Sequence, residues 1–216
     1  MKLSKRLELV ASYVPDNSNV IDVGCDHAYL SIYLASNKKN INILATDIKK
    51  GPLESAKVNI KKYKVEDKIK LELKDGITNL NKNIDTVIIS GMGGILITNI
   101  LKKEELKNVK TLILSPNNDF EIVRKHLKKI GFYIEKEKLI TDKNITYLVL
   151  MAKKGSKKQI SLFGKLNNKD LETIYYFNKR SLNNKNIIKK LPNKYIIKKL
   201  KFYFENKRIK RFLESE

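Results

Sequence analysis
Two apolar runs, each closed by an acid and set about twenty residues apart, constrain this chain more than any other feature. The first is Val20-Ile21-Asp22-Val23, followed by Gly24, a short turn through Cys25, Asp26 and His27, and a helix-like stretch from Ala28 to Leu30 and beyond. The second, Ile43-Leu44-Ala45-Thr46, ends in Asp47. An apolar strand feeding a glycine turn, a helix, and a second strand that ends in an acid is the opening of a nucleotide-type βαβ unit. Gly24 lets bare backbone approach a ligand. Asp47 stands where a carboxylate chelates a ribose diol. The turn is not G-x-G-x-x-G, because Asp26 and Ala28 occupy its later positions. A buried strand–turn–helix that binds nothing has the same pattern.

The 216 residues allow one full α/β domain and a small appendage, and 42% hydrophobic content supports a real core. No apolar run is long enough to span a membrane, and the first residues lack the apolar centre of an export signal, so a cytoplasmic location is expected. Cys25 is the one cysteine and His27 and His126 are the two histidines, which excludes a disulfide framework and leaves no set for a Cys/His metal site. Lysine and arginine number 45 against 23 acids, a net charge of +22. AT-rich coding inflates Lys, Asn and Ile, but it also supplies Glu, and the acids have not kept pace. A polyanionic partner accounts for the excess better; RNA, DNA and an anionic membrane all fit the charge.

Periodicity places a helix over residues 3–13, with Leu3, Leu7 and Val10 on one face. Strands are predicted at 20–24, 42–46, 68–73, 85–90, 111–115, 131–138 and 145–152, and helices at 28–36, 51–63, 94–107 and 119–130. The alternation implies a mostly parallel sheet with right-handed crossovers. The last two strands follow each other directly, which predicts a terminal antiparallel hairpin. Residues 153–158 (KKGSKK) form a basic break. The break separates a domain over 1–155 from a basic helical hairpin over 160–216, with a turn at Asn183–Asn186 and Pro192 in the first turn of the second helix.

Candidate ligand residues cluster at strand ends. Asp75, before Gly76, can accept from an exocyclic amine, or it is a simple Asp-Gly turn. Ser90-Gly91-Met92-Gly93-Gly94 ends a central strand, where ligands bind in open α/β sheets; tight helix packing also calls for such glycines. Asn117, after Pro116, has an amide able to read a base edge, or it belongs to a loop before a helix capped by Asn118 or Asp119. His27 either handles a proton, caps the helix or faces solvent.

Asp22-Val-Gly-Cys-Asp26 is closer to the acid-x-Gly-x-Gly turn of methyltransferases that use S-adenosylmethionine (SAM) than to a dinucleotide turn. Together with KLSKRL at 2–7, DHAYL at 26–30, GPLESAK at 51–57, SGMGGILI at 90–97 and LSPN at 114–117, it makes residues 2–152 resemble the bacterial tRNA (adenine(22)-N1)-methyltransferase family. The chain has Asp47 where the family carries Glu, and Ser115 where it carries Gln. The resemblance implies a class I SAM-methyltransferase, Rossmann-like α/β fold with a C-terminal α-helical hairpin. It implies SAM as methyl donor, S-adenosyl-L-homocysteine as product and tRNA as partner, with no metal, no membrane and no protein partner called for. Cofactor binding is then expected from Asp22, Gly24, His27, Leu30, Asp47, Ile48, Asp75, Gly76, Ser90, Gly91 and Met92. Asp26 and Asn117 are expected to act on the acceptor base. The tail holds fifteen Lys/Arg and five Asp/Glu over residues 160–216, a net charge of 15 − 5 = +10. Lys198, Lys199, Lys201, Lys207, Arg208, Lys210 and Arg211 are its expected RNA contacts, and most of its aromatic residues are expected in the hairpin's own seam.

Three other readings compete. An N6-adenine methyltransferase would carry an Asp/Asn/Ser-Pro-Pro-aromatic motif after the fourth strand, where this chain has Ser90-Gly91-Met92-Gly93. A nicotinamide oxidoreductase would keep the full glycine pattern. An inactive RNA-binding protein would need only the basic tail.

Overall fold
A computed structural model describes residues 1–102, 106–157 and 163–215 of the chain. They form two compact units, Met1–Gly164 and Lys165–Glu216.

In the first unit, helix α1 (Lys5–Tyr13) precedes β1 (Asn19–Val23), α2 (Tyr29–Asn37), β2 (Asn42–Asp47), α3 (Lys50–Lys62) and β3 (Ile69–Leu73). Then come β4 (Thr86–Ser90), α4 (Gly94–Lys102), β5 (Thr111–Ser115), α5 (Phe120–Lys129), β6 (Phe132–Asp142) and β7 (Ile145–Lys154). The sheet order is β3-β2-β1-β4-β5-β7-β6. Strands β1 to β5 pair in parallel, and β7 runs antiparallel to both β5 and β6. The direction of winding reverses between β1 and β4, so their carboxyl ends open the crevice in which such sheets bind ligands.

The central strands are buried on both faces, as their unbroken apolar runs require: Val87, Ile88 and Ile89 in β4 and Leu112, Ile113 and Leu114 in β5 have no exposure. Helix α1 packs on β5, β6 and β7 through Val10 and Ala11. The link from β3 to β4 carries no helix, so the face of edge strand β3 stays open. A groove of about 800 Å³ lined by Asn42, Leu44, Lys70, Glu72 and Asn81 runs along it.

The β6–β7 hairpin is longer than predicted and reaches Asp142 and Ile145. Helix α4 is described as far as Lys102, and Leu106 and Lys107, within the predicted helix, are not helical; residues 103–105 lie outside the described residues, as do 158–162, which include the end of the basic break.

The second unit is a helical hairpin of α6 (Leu171–Lys190) and α7 (Ile196–Leu213), joined by a 3-10 turn at Asn193–Tyr195. Two predictions fail here. Asn183–Asn186 is the interior of α6, not a turn, because the asparagines bond across the seam. Asn184 Nδ2 donates to Asn206 Oδ1 at 3.0 Å, and Asn206 Nδ2 donates to the Ser181 carbonyl at 3.2 Å. Pro192 precedes the 3-10 turn rather than sitting in the first turn of α7. The aromatic residues also depart from expectation. Phe177 is buried and meets Phe212 edge-on at 5.4 Å, but Tyr175, Tyr195, Tyr203 and Phe204 are exposed. The buried seam is narrow: Thr173, Phe177, Asn184 and Ile209. No described helix is long and apolar enough to cross a membrane.

Candidate functional site
The carboxyl ends of β1, β2, β3 and β4 surround a cavity of about 530 Å³. Asp22, Gly24, Asp26, His27, Leu30, Asp47, Ile48, Asp75, Gly76, Ser90, Gly91 and Met92 all line it. Asn117 does not. Arg6, Tyr29, Lys49, Pro52, Lys74, Leu96 and Ile100, none of them singled out from the sequence, do.

The first turn is tied down by backbone bonds. Gly24 N–H and Cys25 N–H both donate to the Thr46 carbonyl, at 2.8 and 2.9 Å, so the end of β1 is stitched to the end of β2. Gly24 takes φ +71°, and a Cβ there would collide with Met92 Cε. Glycine therefore serves both the turn and the close approach of the β4 loop. Asp47 holds the next residues: its Oδ2 accepts from Asp26 N–H at 3.3 Å and its Oδ1 from Lys49 N–H at 3.0 Å. Asp26 itself projects into solvent with its carboxylate 3.6 Å from His27 Nε2. The His27 carbonyl accepts from Asn59 Nδ2 at 3.0 Å, and its ring lies 5.9 Å from that of Tyr29.

Asp22 lines the same cavity from below. It is 4% exposed, and Ser31 Oγ donates to its Oδ2 at 2.7 Å. Burial pushes its pKa up to about 6 against the lowering effect of that hydrogen bond. Burial, and after it the charges of Asp22 and Asp47, raise the Cys25 thiol far above its ordinary range, so this cysteine is no thiolate nucleophile.

The β4 and β5 loops brace each other. Asn117 N–H donates to the Met92 carbonyl at 2.9 Å and Asn117 Nδ2 to the Gly91 carbonyl at 2.8 Å, while its Oδ1 has no partner among the described residues. Asn118 caps α4, not α5: its Oδ1 accepts from Gly94 N–H at 3.0 Å. Asp119 precedes α5 with a left-handed backbone and makes no side-chain cap. The glycine cluster divides by position. Gly91 takes φ +84° and packs against Arg6, whereas a Cβ at Gly94 would stand 2.6 Å from the Asn118 carbonyl oxygen. Tight packing thus claims Gly94. Ser90 and Ser115, paired in register at the ends of β4 and β5, bury hydroxyls that meet no partner among the described residues. No group of three or more His, Cys, Asp or Glu among the described residues could hold a metal ion.

The only early signal for Arg6 was its place in the KLSKRL block. A single arginine in an amphipathic helix otherwise reads as a solvated residue.

Comparison with known proteins agrees with this geometry. The methyltransferase-domain family matches residues 3–150. The tRNA (adenine(22)-N1)-methyltransferase of Bacillus subtilis is 36% identical over 160 residues, which span 73% of this chain and 67% of that protein. A Streptococcus agalactiae protein of the NADB-Rossmann superfamily superposes with a TM-score of 0.91 at 32% identity, covering 99% of this chain and 98% of the other. TrmK of M. capricolum, solved with the cofactor product S-adenosylhomocysteine, superposes with a TM-score of 0.89 at 26% identity and 99% coverage of both chains. By sequence and by fold, this chain belongs to the tRNA (adenine(22)-N1)-methyltransferase family.

Proposed function
We propose that this chain transfers a methyl group from SAM to N1 of adenine 22 in tRNA, in the cytoplasm. One observation carries the reading: the cavity at the reversal of the sheet gathers a bare glycine turn and carboxylates from the ends of β1, β2 and β3. These residues fit SAM. Gly24 gives the turn its φ of +71° and keeps it free of a side chain, with Met92 packed against it. Asp47 presents two carboxylate oxygens to a ribose diol, and Asp75 an acceptor to an adenine amine. Four aspartates facing one cavity suit a ligand with a net positive charge. When bound, SAM supplies an electrophilic methyl group.

The chain's own residues then have limited work. Neutral adenine carries a lone pair on N1, so no base is needed to create the nucleophile, and the main task is alignment. Adenine gains positive charge as its N1 is methylated. The Asp26 carboxylate, held outward beside the donor turn, stabilises that charge and accepts a proton from N6. Asn117, with its amide nitrogen anchored on Gly91, offers Oδ1 to the same amine. N1 lies on the Watson–Crick edge, so the adenine must leave its stack to be reached. The catalytic domain spans 1–155. The hairpin over 160–216 docks the tRNA body by phosphate contacts from Lys198, Lys199, Lys201, Lys207, Arg208, Lys210 and Arg211, all of them exposed except the half-buried Lys199.

Incubation with methyl-labelled SAM and unmodified tRNA, followed by nucleoside analysis, tests the reading. Label should appear in 1-methyladenosine and vanish when adenine 22 is replaced by guanine. Label in N6-methyladenosine, or none from a folded protein that binds SAM, would overturn it.

A further inference from the structure
Helix α7 is apolar on the side away from α6. Its seam with α6 is drawn by Glu205 on Arg180, Asn206 on Asn184 and Phe212 on Phe177. Ile196, Leu200, Tyr203 and Phe204 recur three and four residues apart on the other side, where each is between 47% and 62% exposed. The Tyr203 and Phe204 rings stand edge to face, their centres 5.7 Å apart at 73°. A helix that is apolar on its outer side as well as along its seam is one that something else covers.

Charge says what covers it. The charged residues three or four positions from Tyr203 and Phe204 are Lys199, Lys201, Lys207 and Arg208, every one a cation. Glu205, the one acid of the helix, is spent across the seam on Arg180. A second copy of the chain would set this cationic face against itself. A flat membrane wants an apolar line along the whole helix. Here the line through Ile196, Leu200 and Phe204 runs on at the same spacing into Arg208, and the line through Tyr203 runs into Lys207 and Arg211, all of them exposed. Rings followed by cations along one face match a polyanion whose units carry both a flat apolar surface and a charge, which describes unpaired nucleotides. A paired stem would offer the rings only base edges and backbone. We propose that the outer face of α7 is a stacking platform on which Tyr203 and Phe204 take unpaired bases of the tRNA, while Lys207, Arg208 and Arg211 hold phosphates of the same strand. This rests on the tRNA reading and sharpens it: phosphate contacts accept any RNA, whereas a stacking platform selects one with nucleotides outside its stems.

The chain has no tryptophan, so Tyr203→Trp or Phe204→Trp puts a single indole on this face. In the full chain its fluorescence should be quenched by tRNA, as a stacked base requires, and left unchanged by a fully paired RNA duplex. Removing one ring, as Tyr203→Ala or Phe204→Ala, should raise the tRNA Kd by about 5- to 100-fold, the usual worth of one stacked base. The log–log salt slope should stay as it was, because no phosphate contact is lost, and S-adenosylhomocysteine affinity should not move. Tyr203→Phe should keep wild-type affinity, since the ring remains. Unchanged tRNA affinity in both alanine variants would overturn the proposal, and so would equal quenching by the paired duplex. A blue-shifted indole on phosphatidylserine vesicles with no response to tRNA would overturn it in favour of a lipid surface. A concentration-dependent rise in mass that Phe204→Ala abolishes, with tRNA affinity intact, would overturn it in favour of a second copy. A wild-type chain that neither binds nor methylates tRNA would instead overturn the methyltransferase reading and the proposal with it.

Discussion

Replacing Asp22 with Asn should stabilise the free protein, and the gain should depend on pH. The Asp22 pKa rises from an ordinary 3.8 to about 6 because its carboxylate is buried with only Ser31 to solvate it. The folded state therefore holds this proton more tightly than the unfolded state. Well below the unfolded value of 3.8, near pH 3 and lower, both states are protonated, and the group imposes no cost. Between pH 4 and 6 the unfolded chain releases its proton first, and stability falls as pH rises. Above pH 6 the full cost of the buried charge is present, about 3 kcal/mol for a shift of roughly two units. Asn reproduces the protonated form, and its oxygen still accepts from Ser31. Urea melts of the two proteins should coincide near pH 3 and diverge to about 3 kcal/mol in favour of Asn at pH 8. A difference that does not change with pH, or a less stable Asn variant at pH 8, would show that Asp22 is solvated well enough to ionise freely. Ligand binding should move the other way. SAM is a net cation and S-adenosylhomocysteine is neutral, so the variant should lose more affinity for the former. The buried charge then costs stability and contributes discrimination between donor and product.

Asp47→Ala should weaken S-adenosylhomocysteine by about 1–3 kcal/mol in a folded protein, since ribose hydroxyls lose a charged acceptor; an unchanged Kd by calorimetry removes Asp47 from the site. Asp26→Ala and Asn117→Ala should each reduce kcat by about tenfold or more with donor affinity largely intact, and single-turnover rates at saturating tRNA decide the matter. Gly94→Ala should destabilise by about 1–3 kcal/mol through overpacking of α4 against the start of α5, read from the denaturation midpoint. Changing Lys198, Lys201, Lys207 and Lys210 together to Gln should leave S-adenosylhomocysteine binding untouched and make the log–log salt dependence of tRNA binding shallower by about 3. An unaltered slope would mean that the hairpin does not carry the phosphate contacts.

What could be read from the chain alone was whatever obeys a local rule. Acid-ended apolar runs placed Asp22, Gly24, Asp47 and Asp75 at strand ends, and the structure brings all four to one cavity. The sheet was legible because fully buried strands such as Thr86–Ser90 are uninterrupted apolar runs. What escaped depends on partners remote in sequence. Asn118 reads as the cap of the helix that follows it, yet it caps α4, twenty-four residues earlier. Asn183 to Asn186 read as a turn because asparagine favours turns; only the facing Asn206 of α7 makes Asn184 a seam residue. Arg6 acquires meaning only when α1 folds across the sheet and puts it beside Gly91. The aromatic residues of the hairpin misled for the opposite reason: their spacing admits a seam, but two helices alone bury few of them, and Tyr203 and Phe204 stay in water.

The first turn of the site carries backbone strain, and the strain has a use. Asp26 and Ala28 both take left-handed conformations, at φ +52° and +57°, though neither is glycine, and Asp119 does the same at +54°. Each such residue costs about 1–2 kcal/mol in isolation. They persist because neighbours overdetermine them. Ala28 N–H closes on the Cys25 carbonyl at 2.8 Å, Asp26 N–H is held by Asp47, and the His27 carbonyl is held by Asn59. The strained turn sets Asp26 and His27 outward at the mouth of the cavity and keeps Ala28 fully buried beneath them. On the proposed reading, an Asp47 that chelates the ribose would also position Asp26, because its Oδ2 accepts from Asp26 N–H at 3.3 Å, and donor binding would then be coupled to the carboxylate offered to the acceptor base.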